Sequence, residues 1–260
     1  MEVRLDGRVA LITGGSRGMG RAMAEKFAAA GADLVLTARR ADILDEASSE
    51  IAAATGREVI SCPGDMSQEN DIANVFEAAK TKFGRIDILV NNAGSALDGP
   101  FEEMTDAQWQ SDLDLKLFGA VRMSRLVLPG MKQNKWGRII NVIAVGAKTP
   151  SGGGAPSQVS RAAGLALTKV LAGEFAPYNI LVNALCTGSI VTDQIVREQA
   201  EEAPNIALEE LIGNVGRNIP LGRMGTADEF ANIACFLVSD CASNITGTAI
   251  NVDGGLSPVV

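Results

Sequence analysis

Residues 13–20 read Thr13-Gly14-Gly15-Ser16-Arg17-Gly18-Met19-Gly20. This glycine-rich turn lies between an apolar run, Arg8 to Thr13 (RVALIT), and a helical pattern over Gly20–Ala30 with Met23 and Phe27 on one face. Glycines there permit positive φ and let the backbone come close to a phosphate, while the start of a helix supplies amide donors and a partial positive charge. A glycine turn alone is an ordinary tight turn. Placed after an apolar strand and before an amphipathic helix, it points to a cradle for a dinucleotide.

The same alternation continues outward. Asp33 to Ala38, Glu58 to Cys62, Ile86 to Val90, Arg138 to Ile143, Asn179 to Leu185 and Thr248 to Val252 read as buried strands. Between them, helical patterns cover Ala41–Ala54, Gln68–Phe83, Thr105–Met131, Ser157–Phe175 and Thr226–Val238, with an acidic pair of segments within Thr192–Val215. Continuous apolar strands separated by helices predict a parallel sheet covered on both faces, with right-handed crossovers. No repeat or low-complexity linker interrupts the run, and Gly152-Gly153-Gly154 is the one marked flexible patch. Residues 1–260 are therefore expected to form a single doubly wound α/β domain.

Composition narrows the function. Of 260 residues, 47% are hydrophobic and 21% charged, the mix of a chain with a large core. The 31 acidic residues outnumber the 23 Lys and Arg, giving a net charge of −8, and no segment concentrates basic residues. Nucleic acid and anionic membranes are poor partners for such a surface. There is no His, which removes the commonest metal ligand and the commonest acid/base side chain, so no metal site is expected. No run approaches the ~18 apolar residues of a membrane span. The opening Met1-Glu2-Val3-Arg4-Leu5-Asp6-Gly7 is acidic where a signal peptide is basic and then apolar. Cys62, Cys186, Cys235 and Cys241 form no CxxC pair and read as free thiols. A cytoplasmic protein is expected.

At the end of the second strand the chain reads Thr37-Ala38-Arg39-Arg40. A carboxylate there would accept the ribose 2′-hydroxyl of NAD, and position 38 is alanine. Arg39 or Arg40, helped by Arg17 across the turn, suits the 2′-phosphate of NADP, so NADP is expected over NAD. A solvated basic loop is the alternative.

Thr13–Gly20 has the form TGxxxGxG, and Asn91-Asn92-Ala93-Gly94 follows the fourth strand. With these motifs the chain resembles the short-chain dehydrogenase/reductase family over essentially its whole length. Asp65 resembles the residue that contacts adenine, with Met66 beside it, and Asp87 stands where the family keeps an Asp before NNAG. Gly222-Arg223, Thr246-Gly247 and Val252-Asp253-Gly254-Gly255 resemble the C-terminal pattern. The resemblance implies a Rossmann domain with a seven-stranded parallel sheet, a nicotinamide dinucleotide and a homotetramer. It implies that Gly14, Ser16, Arg17, Gly18, Met19 and Gly20 cradle the cofactor and that Asn91 stiffens the central strands. Asn92, Ala93 and Gly94 would line the cofactor, Gly188 would face the nicotinamide, and Thr192 would hold its carboxamide. Thr187-Gly188 stands where the family usually has Pro-Gly.

The family's chemistry uses a Ser, a Tyr with a Lys four residues later, and an Asn on the preceding long helix. Counted along this sequence, those positions fall on Ala144, Ser157, Arg161 and Lys116, a register anchored by Ser160-Arg161-Ala162-Ala163. Serine is a far weaker acid than tyrosine (pKa ~10), and its hydroxyl stops an aromatic ring's length short. Arg161 keeps a charge that can bridge ribose hydroxyls, but it does not shuttle protons near neutral pH. Tyr178, the one tyrosine, lies toward the far end of that helix and reads as packing. Lys116 carries two readings. Burial and a neighbouring cation would lower its pKa and make it a general acid or a Schiff-base amine; alternatively it pairs with Asp112 or Asp114, or reaches solvent. Ser157 and Arg161 share a helix face at i, i+4. Lys116, Ser157 and Arg161 are the candidate catalytic residues.

Residues 188–220 resemble a substrate lid. Ile195, Val196, Ile206, Leu208 and Ile212 offer apolar walls for an apolar or aromatic small molecule, against the alternative of ordinary helix packing. Three functions remain open, in this order. One is an NADP-dependent oxidoreductase acting on an activated carbonyl or imine. The next is an NADP-binding sensor, regulator or assembly subunit without turnover. The last is a non-redox lyase or isomerase that uses Lys116.

Overall fold

A computed structural model describes residues 2–193, 195 and 206–260. Seven strands, β1 (Val9–Thr13), β2 (Asp33–Thr37), β3 (Val59–Ser61), β4 (Ile88–Asn91), β5 (Gly137–Ala144), β6 (Ile180–Thr187) and β7 (Ala249–Val252), lie in the order β7-β6-β5-β4-β1-β2-β3. Every pairing is parallel. All seven coincide with the runs expected from sequence.

Each central strand is buried on both sides, so its residues divide by parity between two cores. Ala10 and Ile12 of β1 pack with α1 (Gly18–Ala29) and α2 (Ala41–Thr55), and with the helix Ala227–Val238. Val9 and Leu11 face the opposite core, with α3 (Glu69–Phe83) and Met123, Val127 and Met131 of a later helix. The strand order reverses between β1 and β4, which splays the loops at their carboxyl ends. A ligand crevice belongs at that point in an open parallel sheet.

One expectation is corrected. The pattern Thr105–Met131 is not a continuous α-helix: α4 (Asp106–Leu113) and α5 (Gly119–Asn134) are joined by a wider π-helical turn, Asp114–Phe118. The wider turn takes up one extra residue, so Asp112 and Lys116 keep one orientation while Ala120, Met123, Val127 and Met131 keep the buried face of α5. Gly119 follows directly and passes the Met66 carbonyl, where a Cβ would stand 2.7 Å from the oxygen. Thr105 and Gln108 close the start of α4 with a capping box.

Two short pairings fix the loops around the crevice. Asp98–Gly99 pairs antiparallel with Ala155–Pro156, immediately before α6 (Ser157–Phe175). Ile190–Val191 pairs with Gly225–Thr226, which leads into α8 (Ala227–Val238). Between those two lies α7 (Leu208–Gly216), which carries Leu208 and Ile212, both half-buried; Ile206 is exposed. Val196 lies outside the described residues.

Candidate active site

The glycine turn is held from two sides. The amides of Gly14 and Gly15 donate to Thr37 O at the end of β2, at 2.8 and 3.1 Å. From β4, the Asn92 carboxamide donates to Thr13 O (2.9 Å) and Gly14 O (3.2 Å), and Thr13 Oγ1 accepts from the amides of Asn92 and Ala93. The side chain of Asn92 is thus spent on bracing the turn. Gly14 and Gly18 hold φ of +67° and +54°, and a Cβ on Gly20 would overlap Gly14 O. Arg17, the N-cap of α1, is extended and makes no side-chain cap, which leaves the first-turn amides of α1 facing outward. A tight, amide-lined, positively polarised cradle fits a diphosphate.

Residues from the rest of the chain gather around this cradle. Thr192 lies against Gly18, where a Cβ would meet its side chain at 3.4 Å. Met19 Sδ is 3.6 Å from Thr187 Oγ1, and Gly188 has no room for a Cβ because Asp253 lies 2.6 Å from where one would stand. Arg17 approaches Asp193 at 3.9 Å. Arg39 and Arg40 are exposed at the end of β2 and make no ion pair with any described residue. The Asp65 carboxylate accepts from the Ser67 amide and hydroxyl at 2.9 and 2.8 Å, and the Met66 side chain is buried in the core beneath it. Ser16 is half-buried within the turn.

Below the crevice a chain of buried polar groups crosses three elements. Asn91 Nδ2 donates to Asn141 Oδ1 at 2.9 Å, Asn141 Nδ2 to Thr168 Oγ1 at 2.9 Å, and Thr168 Oγ1 to Gly164 O at 2.8 Å. β4, β5 and α6 are thereby fixed in one register beneath the cluster that follows.

Lys116, Ser157 and Arg161 come together. Lys116 Nζ, on the π-helical turn, donates to Ser157 Oγ at 2.8 Å and to Asp112 Oδ1. The lysine side chain is only 5% exposed and its Asp112 partner 2%. Lys116 is thus ion-paired with Asp112, one of the partners expected for it, and it also reaches the first residue of α6. Asp114 instead meets Arg122 at 3.7 Å. Gly94 sits above the group, its Cβ position 3.5 Å from Lys116 Cγ and 3.7 Å from Arg161 Nη2. A small cavity runs beneath, lined by Asn91, Ala93, Leu115, Lys116, Val142 and Arg161.

The charges are unequally matched. Burial pulls the Lys116 ammonium below the usual lysine range; its bond to Asp112 opposes this, and the Arg161 charge adds to it. Arg161, also lowered by burial, makes a single 3.5 Å contact to Val142 O and no ion pair with a described residue. Its guanidinium therefore keeps unused donors facing the cavity. Burial raises the Asp98 carboxyl, against the pull of Lys116 and Arg161. Ala144 ends β5 opposite Thr187. Tyr178, 37% exposed, packs beneath Lys132 beyond the other end of α6, a helix about 28 Å long. Among the described residues no cluster of His, Cys, Asp and Glu could hold a metal ion, and no helix is long and apolar enough to cross a membrane.

Sequence reasoning placed Asp112 only as a possible salt-bridge partner and used Ser160 only as part of the anchor Ser160-Arg161-Ala162-Ala163, with no role of its own. The i, i+4 spacing of Asp112 and Lys116 was a usable signal for the first. The second depends on α4 lying against α6, which no local pattern shows.

A Rossmann sheet, a braced glycine turn and a polar cluster at the carboxyl ends of the strands match a known class of oxidoreductase. A family model described as Enoyl-(Acyl carrier protein) reductase matches residues 14–257. The chain belongs to the short-chain dehydrogenase/reductase family. It is 37% identical over 256 residues to the 3-oxoacyl-[acyl-carrier-protein] reductase of Aquifex aeolicus, covering 98% of this chain and 100% of that one. The Escherichia coli enzyme of the same name is 34% identical over 254 residues, with 98% and 99% covered. Among solved structures, the L-sorbose reductase of Gluconobacter frateurii, complexed with NADPH and L-sorbose, is 33% identical with a TM-score of 0.95 and both chains fully covered.

Proposed function

We propose that this protein is an NADP(H)-dependent reductase of a small molecule whose carbonyl or imine is already activated, working through Lys116, Ser157 and Arg161. The observation that carries this reading is the 2.8 Å bond from Lys116 Nζ to Ser157 Oγ. An ammonium has only donors, so Ser157 accepts, and its own proton is free to point away from Lys116. The result is a hydroxyl polarised by a buried cation, a preorganised donor for a developing oxyanion or amine.

The cofactor supplies the hydride when bound. Gly14, Ser16, Gly18, Met19 and Gly20 would hold its diphosphate, and Arg39 and Arg40, with Arg17, its 2′-phosphate. Asp65 and Met66 would meet the adenine, and Ala93, Gly94, Gly188 and Thr192 the nicotinamide side, with Asn92 bracing the glycine turn beneath. Arg161, with unused donors beside Gly94, would bridge the ribose hydroxyls and add positive charge near the reacting atom. No tyrosine or histidine stands near Ser157 to deliver a proton, and for this reason the substrate is taken to be an activated one. The related reductases named for 3-oxoacyl groups and L-sorbose support a carbonyl. Residues 1–260 act as one unit in this reading. Free thiols fit the cytoplasm, and a homotetramer is what the family resemblance implies.

The test titrates NADPH binding and follows loss of reduced-nicotinamide absorbance against ketones, aldehydes, diketones and cyclic imines. Tight binding with turnover of one class supports the proposal. Lys116→Met and Ser157→Ala should each then lower kcat by about 10²–10³-fold, as for loss of an oxyanion donor. Arg39→Ala should weaken NADPH more than NADH. Binding without turnover across the panel overturns it in favour of a sensor or regulator, and unchanged kcat in Lys116→Met removes the lysine from the chemistry.

A further inference from the structure

Four side chains form a clasp between α4 with its π-helical turn and α6, and only Lys116 and Ser157 of the four have a part in the chemistry proposed above. Asp112 and Lys116 are one turn apart on one helix, Ser157 and Ser160 one turn apart on the other. Two bonds cross between the helices: Lys116 Nζ to Ser157 Oγ at 2.8 Å, and Ser160 Oγ to Asp112 Oδ2 at 2.6 Å. The Lys116–Asp112 ion pair closes the ring on one side. On the other, Ser160 Oγ also lies 3.0 Å from Ser157 O. Both Asp112 oxygens are thus engaged, and the carboxylate cannot rotate without losing one of them. Lys116 and Ser160 take up the two Asp112 oxygens, and the Ser160 hydroxyl is directed to Asp112 and Ser157 O, so neither Asp112 nor Ser160 has a free polar atom to offer a substrate.

We propose that Asp112 is a positioning residue which, braced by Ser160, keeps Lys116 protonated and aimed at Ser157. This rests on the reading of Lys116 and Ser157 as the reacting pair. Around the lysine ammonium stand two carboxylates and one cation. Asp112 is bonded to it, Asp98 acts across the mouth of the crevice, and Arg161 lies beside it. Of these, Asp112 is the carboxylate in direct contact, opposing both burial and the Arg161 charge. Without it, Lys116 loses its proton at lower pH. A neutral amine in that place can accept the Ser157 proton, which turns the hydroxyl away from the substrate. Having lost its charge, Lys116 would then no longer polarise the serine.

The test uses full-length protein labelled with ¹³C-lysine, in which Lys116 is assigned by its loss in Lys116→Met and titrated by NMR. In Asp112→Asn its midpoint should fall by about one to three pH units, the range for loss of an adjacent opposite charge. The alkaline limb of the kcat profile should move down with it while NADPH affinity is kept. A midpoint within a few tenths of a unit of the parent protein overturns the proposal. If Asp112→Asn fails to fold, the double variant Asp112→Asn, Lys116→Met decides: recovered folding shows that the unpaired ammonium was at fault and supports the pairing, and continued unfolding overturns it. The NMR midpoint needs no substrate. An unchanged rate in Lys116→Met therefore sinks the catalytic reading without touching the midpoint, and an unchanged midpoint sinks the positioning role alone.

Discussion

Replacing Asn141 by leucine removes the central link of the polar chain that joins β4, β5 and α6. The side chain is 3% exposed and close to leucine in size, so the change is one of hydrogen bonding more than volume. Two bonds of 2.9 Å are lost, one from Asn91 Nδ2 and one to Thr168 Oγ1. Thr168 still donates to Gly164 O, but Asn91 keeps only a 3.5 Å contact to Ser124 Oγ. Two ordinary bonds at about 1 kcal/mol each, with up to about 2 kcal/mol for the stranded donor, give a loss of about 2–4 kcal/mol. For a chain of this length that lowers Tm by about 4–16 °C. Thermal melting followed by circular dichroism reads it directly. Thr168→Val should cost about 1–3 kcal/mol by stranding Asn141 Nδ2. The double variant should then fall short of the sum by about 1–2 kcal/mol, since neighbours sharing a bond are not additive. A loss under about 1 kcal/mol for Asn141→Leu, or strict additivity, would refute the claim that this chain holds the site's floor together.

Two further outcomes follow from local geometry. Gly20→Ala drives a Cβ into Gly14 O and within 2.7 Å of Asn92 Nδ2, so it should cost about 1–3 kcal/mol or more and weaken NADPH in a binding titration. Gly130→Ala, in α5 with nothing within 4 Å, should raise stability by about 0.5–1 kcal/mol; a melting temperature at or above the parent's for Gly20→Ala, or below it for Gly130→Ala, would contradict the assignment for that residue. Among the thiols, Cys241 is exposed, while burial raises Cys62 and Cys186 and pushes Cys235 up to about 11. A disulfide reagent in mild alkali should consume one thiol quickly and three slowly, and four equal rates would contradict the burial pattern.

The strands were legible because a strand buried on both faces must be apolar throughout. RVALIT and its counterparts carry that demand in a few consecutive letters. The glycine turn was legible for a steric reason, since only glycine meets the backbone demands at Gly14 and Gly20. The π-helical turn was not. One extra residue shifts a helical pattern by about 100°, and on a helix with apolar residues on several sides the shift leaves no break in the pattern. Asn92 shows a different limit. Its motif associates it with the cofactor, and only the coordinates show its carboxamide turned toward Thr13 and Gly14. The grouping of Lys116, Ser157 and Arg161 followed from the positions that the family resemblance assigns, whereas the bonds from Lys116 to Ser157 and from Ser160 to Asp112 depend on helix packing, which sequence periodicity does not encode.

The spare residue at Asp114–Phe118 also makes the protein easy to retune. Loss of a single codon there would swing Lys116 about a quarter-turn relative to α5 while shortening the helix by only about 1.5 Å. The sheet, the glycine turn and the core beneath α5 would keep their places. One small deletion or insertion could therefore exchange the side chain offered to a substrate while the cofactor cradle stays intact. In this architecture new chemistry can arise from a change of phase, with no change of fold.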